Sequence, residues 1–367
     1  MKDIPLGIVA GEKIGDYFWC ISDYFEGLWK GDLKTGRAYK EQEIPFMKDE
    51  RFETAYIDVL SYRNYVILVP LSANLVYLYD IIRKEMIEIG LEQGRNSREV
   101  VLGGGAIIDK WLVVYPLKVQ NGNVYLYRID METFEVNKEM ILDKCDSNQF
   151  VFFDGGHFVC NEKMYLACSI ADILLEIDVP EFSIRKIDYN SEKIGVCNVA
   201  VLGNKAYLFP VKSCSIIIVD LQNGRQKNID DYPINYERAT DRTVVDLIVH
   251  EGEIYAIPSY GNMVLKISGE KILAHHSLTA FMTEKVLSSE CAYPVFPMIF
   301  CKAKKYEKDI FFISPCANAV YKYNLEDDSV QDYKMYVGDN EKRVWKLVEN
   351  ESIVKNLDSF IGHVCEV

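Results

Sequence analysis

"VPLSANLVYLYDIIRKEMIEI", residues 69–89, reads as an apolar strand closing in Pro70, a short polar loop, a second apolar strand closing in Asp80, and a charged third strand. "ISPCANAVYKYNLEDDSVQDY", residues 313–333, repeats that layout almost position for position. A pattern written twice so far apart is first a question of internal period.

The Pro- or Ser-ended strand recurs as "FWCIS", "VILVP", "LVVYP", "YLACS", "AYLFP", "IYAIP" and "FFISP". The strand after it closes each time in a short polar residue, at Asp32, Asp80, Asp130, Asp178, Asp220, Ser268 and Asn324. Successive offsets are 48, 50, 48, 42, 48 and 56 residues, the span of a four-stranded propeller blade. A short acceptor side chain at that place can bond backbone N–H groups two or three residues on, so these positions are turn formers rather than catalytic acids.

Each unit has a strand before the Pro-ended one, such as "AYIDVL", "GAIID", "GHFVC", "NVAVL", "DLIVH" and "PMIFC". These are rich in small and β-branched residues, as an innermost strand crowded round an axis requires. The trailing strands carry most of the charge, which suits an outer edge that must not pair with other chains. Continuous apolar runs in the middle strands predict sheets covered on both faces. The expected fold is therefore all-β, a seven-bladed β-propeller of four-stranded blades, with six or eight blades as neighbouring counts because the first unit's leading strand, "PLGIVAG", is weak. Blades are expected at 4–44, 52–91, 100–142, 150–188, 194–230, 242–275 and 292–336, followed by a tail over 341–367. In that tail "SIVKNLDSFIGHV" spaces Ile353, Val354, Leu357, Phe360 and Ile361 along one face of a helix.

The turns "GDLKTGR" and "VDLQNGR" resemble the broad group of propeller repeats that includes the YVTN, NHL and quinoprotein types. The resemblance covers nearly the whole chain and is generic. WD40 repeats would close in Trp-Asp and kelch repeats would carry a Gly-Gly pair after the second strand, and neither is present. Quinoprotein repeats would supply a recurrent tryptophan motif, whereas the chain has 4 tryptophans in all. The resemblance implies the fold and transfers no catalytic set.

Composition narrows the partners. A net charge of −14 disfavours a phosphate backbone, and "KAKKYEK" at 302–308 reads as a solvated hairpin tip. Nucleic acid is not expected as a partner, nor is a membrane, since no run approaches the ~18 apolar residues of a span. With no signal-type N-terminus, the chain is expected in the cytoplasm, its 10 cysteines serving as buried thiols.

No reaction motif emerges. "LGGGAII", 102–108, opens a strand rather than a phosphate-binding helix, and reads as close backbone packing at the axis. His275 and His276 are neighbours in a strand and should face opposite ways, so no metal and no cofactor is expected. Position is the better guide. Ligands of propellers sit where blade-to-blade loops and second-to-third-strand loops converge at the channel mouth. The candidates are His157, Asp154, Asn198, Asp246, Asp58, Tyr24, Asn74, Tyr260 and Asn318, with Gly104, Gly105, Gly156, Asn123 and Asp172 beside them. His157, following two glycines at the head of an inner strand, leads the set. The first expectation is a non-catalytic recognition propeller that binds a protein partner or a small ligand at this face. The alternative is a lyase, hydrolase or binder acting on a small or carbohydrate-like substrate in the axial funnel.

Overall fold

The structure, a computed structural model, describes residues 6–22, 25, 27–44, 56–71, 75–91, 100–119, 122–145, 151–152, 156–168, 171–190, 195–210, 215–236, 244–259, 261–278, 300, 302–314 and 319–337. The expected tail helix lies outside them.

Seven antiparallel sheets of four strands follow one another along the chain. Blade 1 holds β1 (Ile8–Ile14), β2 (Tyr17–Ser22), β3 (Leu28–Asp32) and β4 (Arg37–Gln42). Blade 2 holds β5 (Tyr56–Tyr62), β6 (Tyr65–Pro70), β7 (Leu75–Asp80) and β8 (Glu85–Gly90). Blade 3 holds β9 (Val100–Ile108), β10 (Trp111–Val119), β11 (Gly122–Asp130) and β12 (Val136–Cys145). Blade 4 holds β13 (His157–Cys160), β14 (Lys163–Ala167), β15 (Ile173–Asp178) and β16 (Ser183–Asp188). Blade 5 holds β17 (Val196–Leu202), β18 (Lys205–Pro210), β19 (Ile216–Asp220) and β20 (Gln226–Ile229). Blade 6 holds β21 (Val244–His250), β22 (Glu253–Pro258), β23 (Met263–Ser268) and β24 (Lys271–Ser277). Blade 7 holds β25 (Lys302–Tyr306), β26 (Asp309–Ser314), β27 (Ala319–Asn324) and β28 (Val330–Lys334).

In six of the seven blades the polar residue closing the third strand does the job its chemistry predicts; in blade 6 Ser268 pairs directly with Lys271 across a two-residue turn instead. Asp80 Oδ1 accepts from the N–H groups of Ile82 and Arg83 at 2.9 and 3.0 Å. Asp32, Asp130, Asp220 and Asn324 repeat that double acceptance, and Asp178 accepts from Glu181 N. Four residues past the acceptor the chain enters the left-handed region, at Gly36, Lys84, Phe134, Phe182, Gly224 and Asp328. Asp80→Ala is expected to cost about 1–2 kcal/mol, read by urea unfolding, because two backbone donors at a buried carboxylate lose their acceptor.

Stability resides between blades. Seven buried clusters each join two neighbouring blades, so the ring is covered on both faces of every sheet. The seventh closes it: Phe18, Trp29 and Ala38 of blade 1 pack with Phe311, Ile313 and Val320 of blade 7. Past β28 the chain adds β29 (Tyr336–Val337) in parallel to the outer edge of β4. Met335 is fully buried at this seam, and a Cβ on Gly31 would lie 2.6 Å from its Sδ. This fixes the count at seven and pairs an edge that would otherwise be open.

Three expectations need correction. Blade 7 has its inner strand at Lys302–Tyr306, so "KAKK" is axial rather than a solvated tip and only Glu307 and Lys308 form the turn; of "PMIFC" only Phe300 is among the described residues. Pro116 lies inside β10 rather than at its end, tolerated because the pairing slips on either side of it. His275 and His276 do not point apart. The register jumps from Val264↔His276 to Leu265↔Ala274, making His275 a bulge, and His275 Nε2 and His276 Nδ1 lie 3.4 and 3.9 Å from Asp328 Oδ1.

Candidate functional site

Counting back from the first hairpin turn of each blade places Ala10, Asp58, Gly104, Gly156, Asn198, Asp246 and Lys302 at one register round the axis. In blades 1, 2, 3, 5 and 6 a bulge immediately precedes this position. Such a bulge re-aims the side chain that follows it. Asp58 and Asp246 also share a local contact, each Oδ1 accepting from the next residue's N–H, at 2.9 and 2.8 Å.

A cavity of about 390 Å³ opens on the axis, lined by Glu12, Asp58, His157, Asp246, Lys302 and Lys304, with Leu60, Ala106, Val159 and Ile248 as apolar wall. Lys304 lies two positions beyond Lys302 and shares its register with Glu12 of blade 1. From blade 7 its Nζ donates to Glu12 Oε2 at 2.7 Å and to Val59 O, and stands 3.2 Å from Asp58 Oδ1 in blade 2. Lys302 Nζ lies 3.6 Å from Asp58 Oδ2. Tyr306 OH donates to Glu12 Oε1 at 2.7 Å and accepts from Lys13 N at 3.0 Å. Two ammoniums and two carboxylates thus form a neutral floor spanning three blades.

Burial alone would push the Lys304 ammonium down, but Asp58 and Glu12 outweigh it and its pKa rises. Burial would raise Asp58; Lys302, Lys304 and His157 hold it below the usual carboxylate range. Tyr306 is pushed well up by burial and then by Glu12. The shifts of Lys304, Asp58 and Tyr306 all run away from neutrality and favour the charged ammonium, the carboxylate and the neutral phenol.

His157 breaks its layer. Its register is held in the other blades by Gly11, Val59, Gly105, Val199, Leu247 and Ala303, all small or apolar. Its Nδ1 meets Tyr115 OH of blade 3 at 3.0 Å, which leaves Nε2 as the ring nitrogen not engaged by Tyr115. Burial, opposed by Asp58 and reinforced by the two lysines, lowers its pKa to about 4, so the ring is neutral at pH 7.

The triple glycine explains how Tyr115 reaches it. A Cβ on Gly103 would stand 2.9 Å from the Tyr115 ring, and one on Gly104, at φ +144°, 2.8 Å from its hydroxyl. The close packing expected of "LGGGAII" is therefore, at Gly103 and Gly104, packing against Tyr115, while Gly105 packs against Val113 O, Leu112 and Leu60. Gly104→Ala is expected to cost about 2 kcal/mol, since it adds a clash at a backbone angle side chains avoid, and to break the Tyr115–His157 contact, visible as a changed His157 imidazole resonance.

Of the sequence candidates, Asp58, Asp246 and His157 converge on the cavity. Asn198 shares the register of Asp58 and Asp246 but donates to Val244 O at 3.1 Å, clamping blade 5 to blade 6. Asp154, Tyr24, Asn74, Tyr260 and Asn318 lie outside the described residues. Glu12, Tyr115, Lys302, Lys304 and Tyr306 were not anticipated. The available signal was the alternation Lys302, Lys304 within a five-residue run, which puts both on one strand face. Among the described residues no group of three or more His, Cys, Asp or Glu side chains is arranged to hold a metal ion.

Fold and cavity together define a seven-bladed β-propeller with a charged axial pocket. No family model and no curated protein matches the chain. Solved structures share the fold. Virginiamycin B lyase from Staphylococcus aureus superposes with a TM-score of 0.60 at 11% identity, over 86% of this chain and 96% of that one. A streptogramin B lyase gives 0.60 at 11% over 90% and 95%. Kluyveromyces lactis Hsv2 gives 0.52 at 12% over 90% and 98%.

Proposed function

We propose that the protein is a non-catalytic recognition propeller whose axial cavity binds a small polar ligand. The observation that carries this is the convergence of six ionisable side chains from blades 1, 2, 4, 6 and 7 on one pocket of about 390 Å³, within the size range of small-molecule sites, about 300–1,000 Å³. An apolar plug would have argued for a partner docking across a closed face. Proton transfer is poorly served, because a general acid or base works best with a pKa near the operating pH. The shifts move His157 and Asp58 down, and Lys304 and Tyr306 up. What the pocket offers is a fixed array of donors and acceptors. A thermal-shift panel of small polar compounds tests this against Ala106→Phe, which fills the cavity from blade 3. A ligand at 100 times its Kd is expected to stabilise the wild type by about 2.7 kcal/mol and to leave the filled variant unmoved. Equal stabilisation of both would count against the axial site.

A lyase reading has one observation in its favour, a neutral His157 held by Tyr115 beside Asp58, on a fold shared with virginiamycin B lyase. It requires that His157→Ala abolish a turnover the wild type performs.

A further inference from the structure

Resting on the reading of the axial cavity as a ligand site, we infer that its ligand is a net-uncharged, hydroxyl-rich molecule, a sugar ring either free or at the end of a glycan. Charge balance comes first. The cavity is lined by three carboxylates, Glu12, Asp58 and Asp246, and by the ammoniums of Lys302 and Lys304, with the exposed Lys305, whose Nζ donates to Val249 O at 2.9 Å, adding a third at its rim, beside a neutral His157. A ligand with a net charge would leave one charge in this balanced pocket uncompensated, a costly arrangement away from water.

Hydrogen-bond type comes second. Acceptors and donors face one another across the cavity: carboxylates from blades 1, 2 and 6, ammoniums from blade 7 and the His157 imidazole from blade 4. A carboxylate has about four lone-pair sites and an ammonium three protons, so each can serve a ligand while keeping its present contacts. A hydroxyl donates and accepts at once, and several hydroxyls on one small frame suit neighbouring carboxylates and ammoniums equally. Shape comes third. Gly105, Ala106 and Leu60 make one side of the pocket small-residued and apolar, a surface for the C–H face of a ring, and the volume admits one or two rings.

The test is titration calorimetry of the full chain with methyl hexosides, disaccharides, glycine betaine and inorganic phosphate. At least one neutral sugar is expected to bind, with betaine and phosphate inert. Asp246→Ala should weaken that sugar about 10-fold or more, the scale of one charge-assisted hydrogen bond. A disaccharide binding tighter than its monosaccharide identifies a glycan end, and equal affinities a free sugar. Binding of betaine or phosphate with every sugar inert overturns the hydroxyl class while leaving the axial site standing. Silence from all four classes overturns both. Sugar binding unchanged in Asp246→Ala overturns the assignment to this cavity.

Discussion

Lys304→Met is expected to destabilise the propeller by about 3–5 kcal/mol, the cost of breaking a buried charge network by removing one partner. Lys304 bridges Glu12 and Asp58 from the far side of the ring seam. Without it both carboxylates remain in the channel, with Tyr306 OH on one and Lys302 at 3.6 Å from the other. The measurement is urea unfolding of the wild type, Lys304→Met, and Lys304→Met combined with Glu12→Gln and Asp58→Asn. The triple variant is expected to recover most of the loss, since an ion network replaced as a whole is often close to neutral. A single variant as stable as the wild type would show that the floor carries no weight in folding.

Acid is expected to remove about 3 kcal/mol of stability through His157 alone. Its folded pKa is about 4 against about 6.5 for an unfolded histidine. Between those values the unfolded chain binds the extra proton, so stability is full above about pH 6.5 and falls as pH drops towards 4. The groups facing the ring set this direction: burial first, with Lys302 and Lys304 reinforcing it and Asp58 opposing it. His157→Gln has no such proton to bind, and its stability should decline less over the same range, the difference reaching about 3 kcal/mol at pH 4. Parallel pH profiles for the two proteins would contradict a half-buried imidazole whose pKa the site lowers.

The fold was legible because a blade is a local object. Strand, Pro-ended strand, Asp turn and charged edge fall within about 50 residues of one another, and Asp80 caps its turn with donors two and three residues away. The site was only half legible, for the opposite reason. Asp58, Asp246 and His157 could be found by counting from strand starts. Lys302 and Lys304 looked solvated because the acids that neutralise them, Glu12 and Asp58, are separated from them by most of the chain and meet them only when the ring closes. The paired histidines failed differently. Alternation predicts opposite faces, and a one-residue bulge at His275 cancels it without any mark in the residue types. "LGGGAII" was read correctly as packing, yet what it packs against, Tyr115, and what that tyrosine holds, His157, required the structure.

The most direct measurement is a crystal structure of the protein with the tightest-binding compound from the calorimetric panel. Ligand density within hydrogen-bond reach of Asp246 and His157, above the Glu12–Lys304–Asp58 floor, is the predicted result. Density on an outer blade face, with the axial cavity holding only water, would contradict the account.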